Sequence, residues 1–482
     1  MLYVRKIELK VNHRKNEFLS KCAGVKRVSW NWGLGEIKKA LEEGRKPESI
    51  ATLKKRFNQI KKELFPFVYD SPKDCNQQPF NNLKTAMSRF FSKTSKFPRF
   101  KRKKDGDSFY LSNDKTKVAQ SGKSLWIPLL GWVGLKEKFP YKQDFKTNKL
   151  ISVTISRQAD KWFASISMEV PDEDAPKFKR TSNHILAADV GSKTKMVNSD
   201  GTEVASPRHL KKPQKRLAKK QRSVQRMRDN LKLQVEINPE LNELVKTRYN
   251  FRANRNVPNS RHNLEKKNKE IQKLHATIAN IRKDENHKLS NRLCRENQTI
   301  MIETLDFKEM MKQSRNHGQN RNLADNAIGQ LFEFLDYKSK RYGGEIIKAN
   351  KWFASSKDCS GCGNHKDDLT LTDRVYECKH CGLVVDRDLN AALNLLKYGL
   401  SYLVYFGKMS YKKANSIWLE NLKKLEKNLC KDKLFLKIKN TAGLVGINAW
   451  GELTMIDISR YHSQTDLKEP GTSRTSLIRG ER

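Results

Sequence analysis

The sequence predicts a multidomain protein with α+β and α/β parts, and three features support this. Residues 1–11 and a stretch from about 106 to 172 alternate apolar and polar side chains, as half-buried strands do. Residues from about 14 to 94 place their apolar side chains at helical spacing instead. Further along, two short apolar runs each end in an acidic residue, with a long helical pair between them. A chain of 482 residues has room for roughly two to four domains.

The N-terminal part divides at its prolines and turn residues. Two pieces have clear helical periodicity, KCAGVKRVSWNWGL (21–34) and NNLKTAMSRFF (81–91). Four prolines are predicted to break the helical stretch: Pro47, Pro66, Pro72 and Pro79. The segments SLWIPLL, ISVTIS and WFASISMEV that follow have the β-branched and aromatic alternation of strands. The polar segment PDEDAPKFK then predicts a linker into the next domain.

The helical pair is strongly basic on its first member. Between residues 210 and 232 there are ten Lys or Arg against a single acid, Asp229. A charge run usually marks only a solvated face, but this ratio favours contact with phosphate. We predict an antiparallel pair with a basic outer face, joined by a loop at 233–258. The candidate phosphate contacts are Lys211, Lys212, Arg216, Lys219 and Arg222.

Composition indicates a polyanionic partner. The net charge is +44 and the pI about 9.9, and each neutralised phosphate releases counterions. A membrane surface would also attract this charge, but no apolar stretch approaches the roughly 20 residues of a spanning helix. The N-terminus lacks the apolar core of a signal peptide, so we expect a cytoplasmic protein. Four of the eight cysteines are scattered and predicted to be buried thiols: Cys22, Cys75, Cys294 and Cys430.

The other four cysteines have the spacing of a zinc site. They form the pattern Cys359-x2-Cys362-x15-Cys378-x2-Cys381, and a glycine follows the second cysteine of each pair. Two such turns present two thiolates each, which suits tetrahedral Zn²⁺. A redox or disulfide pair is the alternative, and it fits a basic cytoplasmic protein poorly. Because four thiolates leave no position for substrate, the zinc is predicted to be structural.

Three carboxylates form the second candidate site. Asp189 ends the run ILAAD, Glu303 ends TIMIE, and Asp388 precedes the helix NAALNLL. Taken singly, Asp189 is typical of a turn residue and Glu303 of a helix cap. Asp386 or Asp388 is typical of an N-cap. As a set, they can hold two divalent ions that activate water against a phosphodiester. Hard oxygen ligands favour Mg²⁺ or Mn²⁺ over zinc.

At these motifs the chain resembles the TnpB family of transposon-encoded, RNA-guided nucleases, relatives of type V CRISPR effectors. The resemblance rests on ADVG, IETLDF, YGGEIIKANKWFASSKDCSGCG and CKHCGLVVDRDLNAALN. It extends to GVKRVSWNWGL, NNLKTAMSRFF and FPRFKRKK, and to TAGLVGINAWGE and KEPGTSR near the C-terminus. The resemblance therefore covers most of the chain. Trp450 departs from the pattern, since many relatives have a cysteine there.

The resemblance implies a wedge-type β-barrel with a helical insert, and an RNase H-like RuvC domain with an inserted zinc ribbon. It also implies that Asp388, rather than Asp386, is the third metal-binding acid. The implied segments are the wedge barrel (1–11 and 95–178), helical recognition insert (12–94), RuvC domain (179–355, with the basic pair at 209–293, and 385–400), zinc ribbon (356–384) and a partly disordered C-terminal extension (401–482).

The partners implied by the resemblance are a guide RNA and target double-stranded DNA. Guide–target pairing would supply sequence information, while the protein reads a short motif beside the target. Side chains in the regions where the family places motif contacts are Gln77, Gln78, Ser112 and Asn113; the alternative is that they are ordinary surface residues.

Two alternatives to a TnpB-type endonuclease stay open on the sequence. One is a compact type V CRISPR effector with the same chemistry, and the other is an RNA-guided DNA-binding protein that does not cut. The presence of all three acids favours cutting. Whether the protein is a monomer or a dimer is not indicated.

Overall fold

The computed structural model describes most of the chain, and the chain divides into two compact units. One unit comprises Met1–Pro176 and Lys220–Ala276, and the other Lys177–Lys219 and Thr277–Arg482. The residues described are 2–143, 148–174, 178–191, 194–207, 210–237, 260–305, 309–310, 317–370, 373–429 and 453–461. Trp450, Cys430 and the C-terminal end from about 464, for which the sequence suggests disorder, lie outside them.

The first unit is built on an antiparallel sheet. Its strands are β1 (Leu2–Lys10), β2 (Ser108–Ser112), β3 (Lys117–Val118), β4 (Ser124–Ile127), β5 (Gly131–Leu135), β6 (Lys149–Gln158) and β7 (Lys161–Glu169). They pair in the order β2-β6-β7-β1-β5-β4-β3. The N-terminal strand therefore lies inside the sheet, paired with β7 on one side and β5 on the other. Among the described residues β2 and β3 are the two ends of this order, so the pairings describe an open sheet.

Three helices belong to this unit: α1 (His13–Glu42), α2 (Ile50–Leu64) and α3 (Asp74–Phe91). Helices α1 and α3 pack against strand β2, and α2 packs against these two helices. Side chains of Asn12 and Ser49 cap the first two by accepting hydrogen bonds from backbone N–H groups. The predicted break at Pro79 is wrong, because Pro79 lies within α3. It comes early in the helix, where its missing N–H removes a single intrahelical bond, and its ring is buried in the core.

The second unit contains a five-stranded mixed sheet. The strands of this unit are β8 (His184–Asp189), β9 (Thr194–Asn198), β10 (Glu203–Ala205), β11 (Asn297–Ile302), β12 (Glu345–Lys348), β13 (Val375–Glu377) and β14 (Val384–Asp386). The sheet has the order β10-β9-β8-β11-β12, in which β8, β11 and β12 are parallel. Strands β13 and β14 form a separate antiparallel hairpin.

The remaining helices are α4 (Lys211–Ile237), α5 (Ser260–Glu296), α6 (His317–Asn326), α7 (Ile328–Arg341), α8 (Arg387–Tyr405) and α9 (Tyr411–Leu429). Short 3₁₀ helices occur at Pro66–Asp70, Lys103–Asp105 and Ile458–Arg460. In the part of the chain that the structure describes, no helix is long and apolar enough to cross a membrane.

Helices α4 and α5 form the predicted antiparallel pair. Lys220 contacts Glu270, and Lys267 Nζ donates to Ser223 Oγ at 2.7 Å, so the two helices run in opposite directions. The loop predicted from residue 233 begins too early, because α4 continues to Ile237. The rest of that segment lies outside the described residues.

Helix α8 is the buried centre of the second unit. Every residue from Leu389 to Leu403 is buried, because other parts of the unit surround the helix. Gly399 permits the closest approach: a Cβ added there would come to 2.5 Å from Met301 Cγ, and closer still to Sδ and Cε. The absence of a side chain at Gly399 therefore sets the distance between α8 and strand β11.

We predict that Gly399→Ala destabilises the protein. The added methyl group forces Met301 out of its position, and overpacking of this kind costs about 1–3 kcal/mol. Gly329→Ala is a matched control, because a Cβ there meets nothing within 4 Å, and the helix gains up to about 1 kcal/mol. Thermal unfolding should give a lower midpoint for the first variant only. Equal midpoints for the two variants would contradict the close packing.

Candidate active site and metal centre

Two parallel strands bring the first two acids to one edge of the sheet. Strands β8 and β11 are in register with Ala188 opposite Ile302. The next residue of each chain is an acid, Asp189 at the end of β8 and Glu303 directly after β11. Because parallel strands end at the same edge, these two side chains leave the sheet side by side. The predicted convergence of the two strand ends is present.

Helix α8 brings the third acid, and it separates the roles of the two neighbouring aspartates. Asp386 is the N-cap: its Oδ1 accepts hydrogen bonds from the backbone N–H of Asp388 at 2.9 Å and of Leu389 at 3.1 Å. Asp388 lies in the first turn, close enough for its charge to raise the pKa of both Asp189 and Glu303. The carboxylate of Asp386 is therefore occupied by capping, whereas the charge of Asp388 acts on Asp189 and Glu303.

Asp189 and Glu303 share an electrostatically unfavourable environment, and Asp388 contributes to it. Burial raises the pKa of Asp189 well above its usual range, and the charges of Glu303 and Asp388 add to this. The pKa of Glu303 is raised chiefly by burial, while its hydrogen bond to Ser355 and the charge of Arg387 oppose the increase. Buried like charges repel one another, and a divalent cation relieves that repulsion. The donor set therefore fits Mg²⁺ or Mn²⁺.

Two residues of this site were not predicted from the sequence. Ser355 donates its hydroxyl hydrogen to Glu303 Oε1 and so orients that carboxylate. Arg387 donates to the backbone oxygen of Thr370 at 3.0 Å, and its charge lowers the pKa of both Asp189 and Glu303. Arg387 lies between Asp386 and Asp388 in the DRD motif. This position next to a candidate metal ligand is the sequence signal that could have identified it.

The four predicted cysteines form a compact cluster. Their sulfur atoms all lie within 4.8 Å of one another; the three acids do not form so tight a group in the described part of the chain. The Sγ atoms of Cys359 and Cys381 are 3.6 Å apart, and those of Cys362 and Cys378 are 3.7 Å apart. A zinc tetrahedron with bonds of about 2.3 Å separates its sulfurs by roughly 3.8 Å. The thiol geometry therefore fits Zn²⁺.

Each cysteine pair closes on a tight turn. Gly363 and Gly382 have φ angles of 78° and 74°, the left-handed region that glycine adopts without strain. Their N–H groups donate to the carbonyl oxygens of Cys359 and Cys378, both at 2.9 Å. Burial raises the pKa of the Cys378 thiol, but the N–H groups that point at it, notably of Cys381, outweigh this and bring its pKa to about 7. A thiol with this pKa is readily available as a thiolate ligand.

Helix α8 also holds the cysteine cluster beside the acids. Asn390 accepts a hydrogen bond from the Ser360 N–H at 2.9 Å and donates to the Asp358 oxygen at 2.7 Å. One turn later, Asn394 donates to the backbone oxygen of Ser355 at 2.8 Å. Both asparagines are buried, and both belong to the NAALN motif, whose amides the sequence analysis did not assign. The helix that carries Asp388 thus positions the ribbon and the Ser355 backbone together.

The predicted motif-reading residues lie in the first unit. Gln77 and Gln78 are half-buried on α3, while Ser112 ends β2 and Asn113 is exposed after it. The N–H and hydroxyl of Ser112 both donate to Asp74 Oδ2 at 2.8 Å, which places Ser112 beside the start of α3. Gln78 lines a cavity of about 180 Å³. The structure therefore brings the two glutamines and Ser112 into one region.

The predicted phosphate contacts on α4 are all solvent-exposed: Lys211, Lys212, Arg216, Lys219 and Arg222. Their exposure fits the predicted basic outer face, while Val224 of the same helix is buried. Phosphate as the partner of this face stays a prediction, because exposure alone does not identify a partner.

Comparison with known proteins identifies the family of this chain. Three family models match the chain: a Cas12f1-like TNB domain at 329–395, a probable transposase at 247–314 and a helix-turn-helix domain at 1–46. In this structure the segment 1–46 is strand β1 followed by the single long helix α1.

The sequence relatives carry more weight. A Streptomyces pristinaespiralis protein named "Putative RNA-guided DNA endonuclease" is 30% identical over 393 residues, which cover 80% of this chain and 86% of the relative. A TnpB-like protein of Acanthamoeba polyphaga mimivirus is 31% identical over 163 residues, covering 33% of this chain and 29% of the relative.

Among solved structures, a Cas12f1–sgRNA–target DNA complex matches with 14% identity and a TM-score of 0.29, over 82% of this chain and 98% of that chain. The family assignment therefore rests on the sequence relatives. Because the Streptomyces pristinaespiralis relative matches this chain over most of its length, the chain belongs to the TnpB family of RNA-guided DNA endonucleases.

Proposed function

We propose that this protein cleaves DNA complementary to a bound guide RNA, next to a short recognition motif. The observation that carries the proposal is that Asp189 and Glu303 lie side by side at one sheet edge, with Asp388 on α8 close enough to act on both. Neighbouring carboxylates of which two, Asp189 and Glu303, have raised pKa values are costly to a fold and suit divalent metal. We assign the three acids as the metal ligands of a phosphodiester hydrolase.

Mg²⁺ or Mn²⁺ would be held by these three carboxylates, and such ions supply an activated water and stabilise the leaving oxygen. The protein's own groups prepare the site. Ser355 fixes the orientation of the Glu303 carboxylate through its hydroxyl hydrogen bond. The positive charge of Arg387 favours the ionised form of Asp189 and Glu303, the form that binds metal. The capping bonds of Asp386 fix the first turn of α8, on which Asp388 lies.

The architecture that follows from family membership has three functional parts. We assign strands β1–β7 to a wedge domain (1–11 and 95–178) and helices α1–α3 to its recognition insert (12–94). We assign the mixed sheet of β8–β12, with α8, to an RNase H-like RuvC domain (179–355 and 385–400). We assign the cysteine cluster to a structural zinc ribbon (356–384), inserted before the last RuvC segment, and residues 401–482 to the C-terminal extension. The close thiol geometry supports the zinc assignment.

The proposed partners are a guide RNA and target double-stranded DNA in the cytoplasm, at the nucleoid. The net charge of +44 suits two polyanions, and the exposed cations of α4 provide phosphate contacts. Amide side chains near α3 suit contact with an adenine edge, so we assign Gln77, Gln78, Ser112 and Asn113 to motif reading.

Two other functions use the same architecture. A compact type V CRISPR effector would have the same site, and a repeat array at the locus, instead of transposon ends, would identify it. A guided DNA-binding protein without cleavage is disfavoured, because all three acids are present and converge.

A cleavage assay with matched aspartate variants tests this function. Protein is purified with the RNA from its own locus, and the guide segment is reprogrammed against a plasmid in Mg²⁺. We expect guided cutting by wild type and a loss of at least about 100-fold in Asp388→Asn, since a metal ligand is removed. Asp386→Asn should keep cutting, because asparagine caps a helix as well as aspartate does.

Three results would contradict the proposal or the assignment. Absence of a specific co-purified RNA, or of cutting by wild type, would reject the guided nuclease. Equal loss in the two asparagine variants would reject the division of roles between Asp386 and Asp388.

Zinc content tests the ribbon. We expect about one zinc per chain in wild type, and Cys378→Ser to lose it with a lower thermal midpoint, because four-thiolate zinc contributes directly to folding. His380→Ala is the matched control: this histidine is exposed beside the cluster and outside the four-cysteine group. Elemental analysis of both purified variants is the measurement. Zinc retained in Cys378→Ser would contradict the assignment.

Asp189 and Glu303 predict an unusual pH dependence of stability without metal. Their folded-state pKa values are raised, so their stabilising contribution is full below about pH 4, near the unfolded pKa values, and is lost as the pH rises through the folded ones. Asp189→Asn should therefore raise the thermal midpoint of the metal-free protein at pH 8.

The same variant should gain little at pH 4, where the carboxyl is neutral in wild type. Added Mg²⁺ should stabilise wild type more than Asp189→Asn. A midpoint lowered by the substitution at pH 8 would show that this carboxylate is not under electrostatic stress.

A further inference from the structure

Trp352 is an exposed tryptophan beside the acids. Its side chain is 79% exposed, the highest fraction among the large apolar side chains in the described part of the chain. The next residue, Phe353, is buried in the core of the unit. Exposing a whole indole forgoes the hydrophobic stabilisation that burial gives, so such a ring suits a partner that covers it.

The turn that presents Trp352 is firmly held. Asn350 Oδ1 accepts a hydrogen bond from the Trp352 N–H at 2.9 Å, and Asn350 Nδ2 donates to the Tyr461 oxygen, also at 2.9 Å. The Asn350 N–H donates to the Tyr398 hydroxyl at 3.2 Å, and the Phe353 N–H donates to the Asn350 oxygen at 3.0 Å. These bonds order the backbone on both sides of the indole, which is therefore presented from a fixed turn.

The same turn is tied at both ends to the strand that delivers Glu303. The N–H of Ala349 donates to the oxygen of Ile302, the residue before Glu303, at 2.9 Å. Ser355 bonds the Glu303 carboxylate itself. Trp352 is three residues from each of these anchors, so its Cα lies within about 11 Å of each. The backbone that presents the indole thus lies within this distance of the residues bonded to Ile302 and Glu303.

We propose that Trp352 is a base-stacking subsite that positions an unpaired DNA strand for cleavage at the three acids. Aromatic side chains bind single strands by stacking on bases, whatever the sequence, and a paired base does not offer its face in this way. Lys351 is also exposed, with its Nζ 5.4 Å from the centre of the indole ring, where it can meet a phosphate. This inference rests on the proposed nuclease function and names the form of DNA that enters its site.

Fluorescence of a base analogue tests the stacking without cleavage. In the non-cutting Asp388→Asn protein with its guide RNA, 2-aminopurine is placed at successive positions of single-stranded target near the cut site. We expect strong quenching at one position, its loss in Trp352→Leu, and its retention in Trp352→Phe. Leucine keeps apolar volume without a π face, whereas phenylalanine can still stack.

Kinetics on the cutting protein provide the second readout. Trp352→Leu should raise the KM for single-stranded target about tenfold, within the range for one base–aromatic stack, with kcat changed less than twofold. Trp352→Phe should restore most of the affinity. Trp132→Leu is the control for loss of an exposed tryptophan, since Trp132 is 47% exposed on β5, in the other unit.

The outcomes separate the two hypotheses. If wild type cuts but Trp352→Leu keeps its KM and its quenching pattern, the stacking subsite is wrong. A lowered thermal midpoint and a fall in kcat with unchanged KM would also reject it, since the indole would then be structural. If wild type neither cuts nor binds guided target, the nuclease proposal fails, and the subsite fails with it.

Discussion

The packing of helix α8 into the second unit is the constraint on which the site depends. Strands β8 and β11 supply two acids through their register alone, but the third arrives on a helix from a distant part of the sequence. The helix lies against Met301, on β11, at a distance that only the absence of a side chain at Gly399 permits. Because a helix is rigid over this length, a contact at Gly399 also fixes the first turn, where Asp388 lies.

The same helix connects the acids to the cysteine cluster. Asn390, Asn394 and Lys397 are four and three residues apart, so they lie along one face of α8. Lys397 is buried and donates to the Gly361 oxygen at 3.4 Å. Burial lowers its pKa to about 8, while nearby cysteines, Cys359 foremost, act to raise it. Zinc bound by four thiolates carries net negative charge, which a buried ammonium group offsets. The ribbon therefore contributes to the position of the active-site helix.

Local patterns in the sequence predicted the elements and most of the candidate ligands. Apolar runs ending in acids gave Asp189 and Glu303, because strand direction and an edge position are encoded within a few residues. The cysteine spacing was sufficient for the thiol cluster, since each turn is a local structure. Pro79 was misread because tertiary packing maintains α3 through it, and a proline rule takes no account of that burial.

What the sequence could not predict depends on long-range contacts. Ser355, Asn390 and Asn394 are ordinary polar residues until the fold brings them to Glu303 and the ribbon. Asp386 and Asp388 both precede a helix, so either could be the cap on sequence alone. The capping hydrogen bonds accepted by Asp386 distinguish them, and those bonds form only in the folded first turn.

Two features of the site oppose the stability of the isolated protein, and they lie close together. Asp189 and Glu303 lie beside one another with raised pKa values, and Trp352 is held in solvent by a well-bonded turn. Folds retain such local conflicts chiefly at functional sites. Divalent metal relieves the repulsion among the acids, and a stacked base covers the indole. A metal-bound DNA strand would satisfy both at once, so the two features are explained by one ligand more simply than by two.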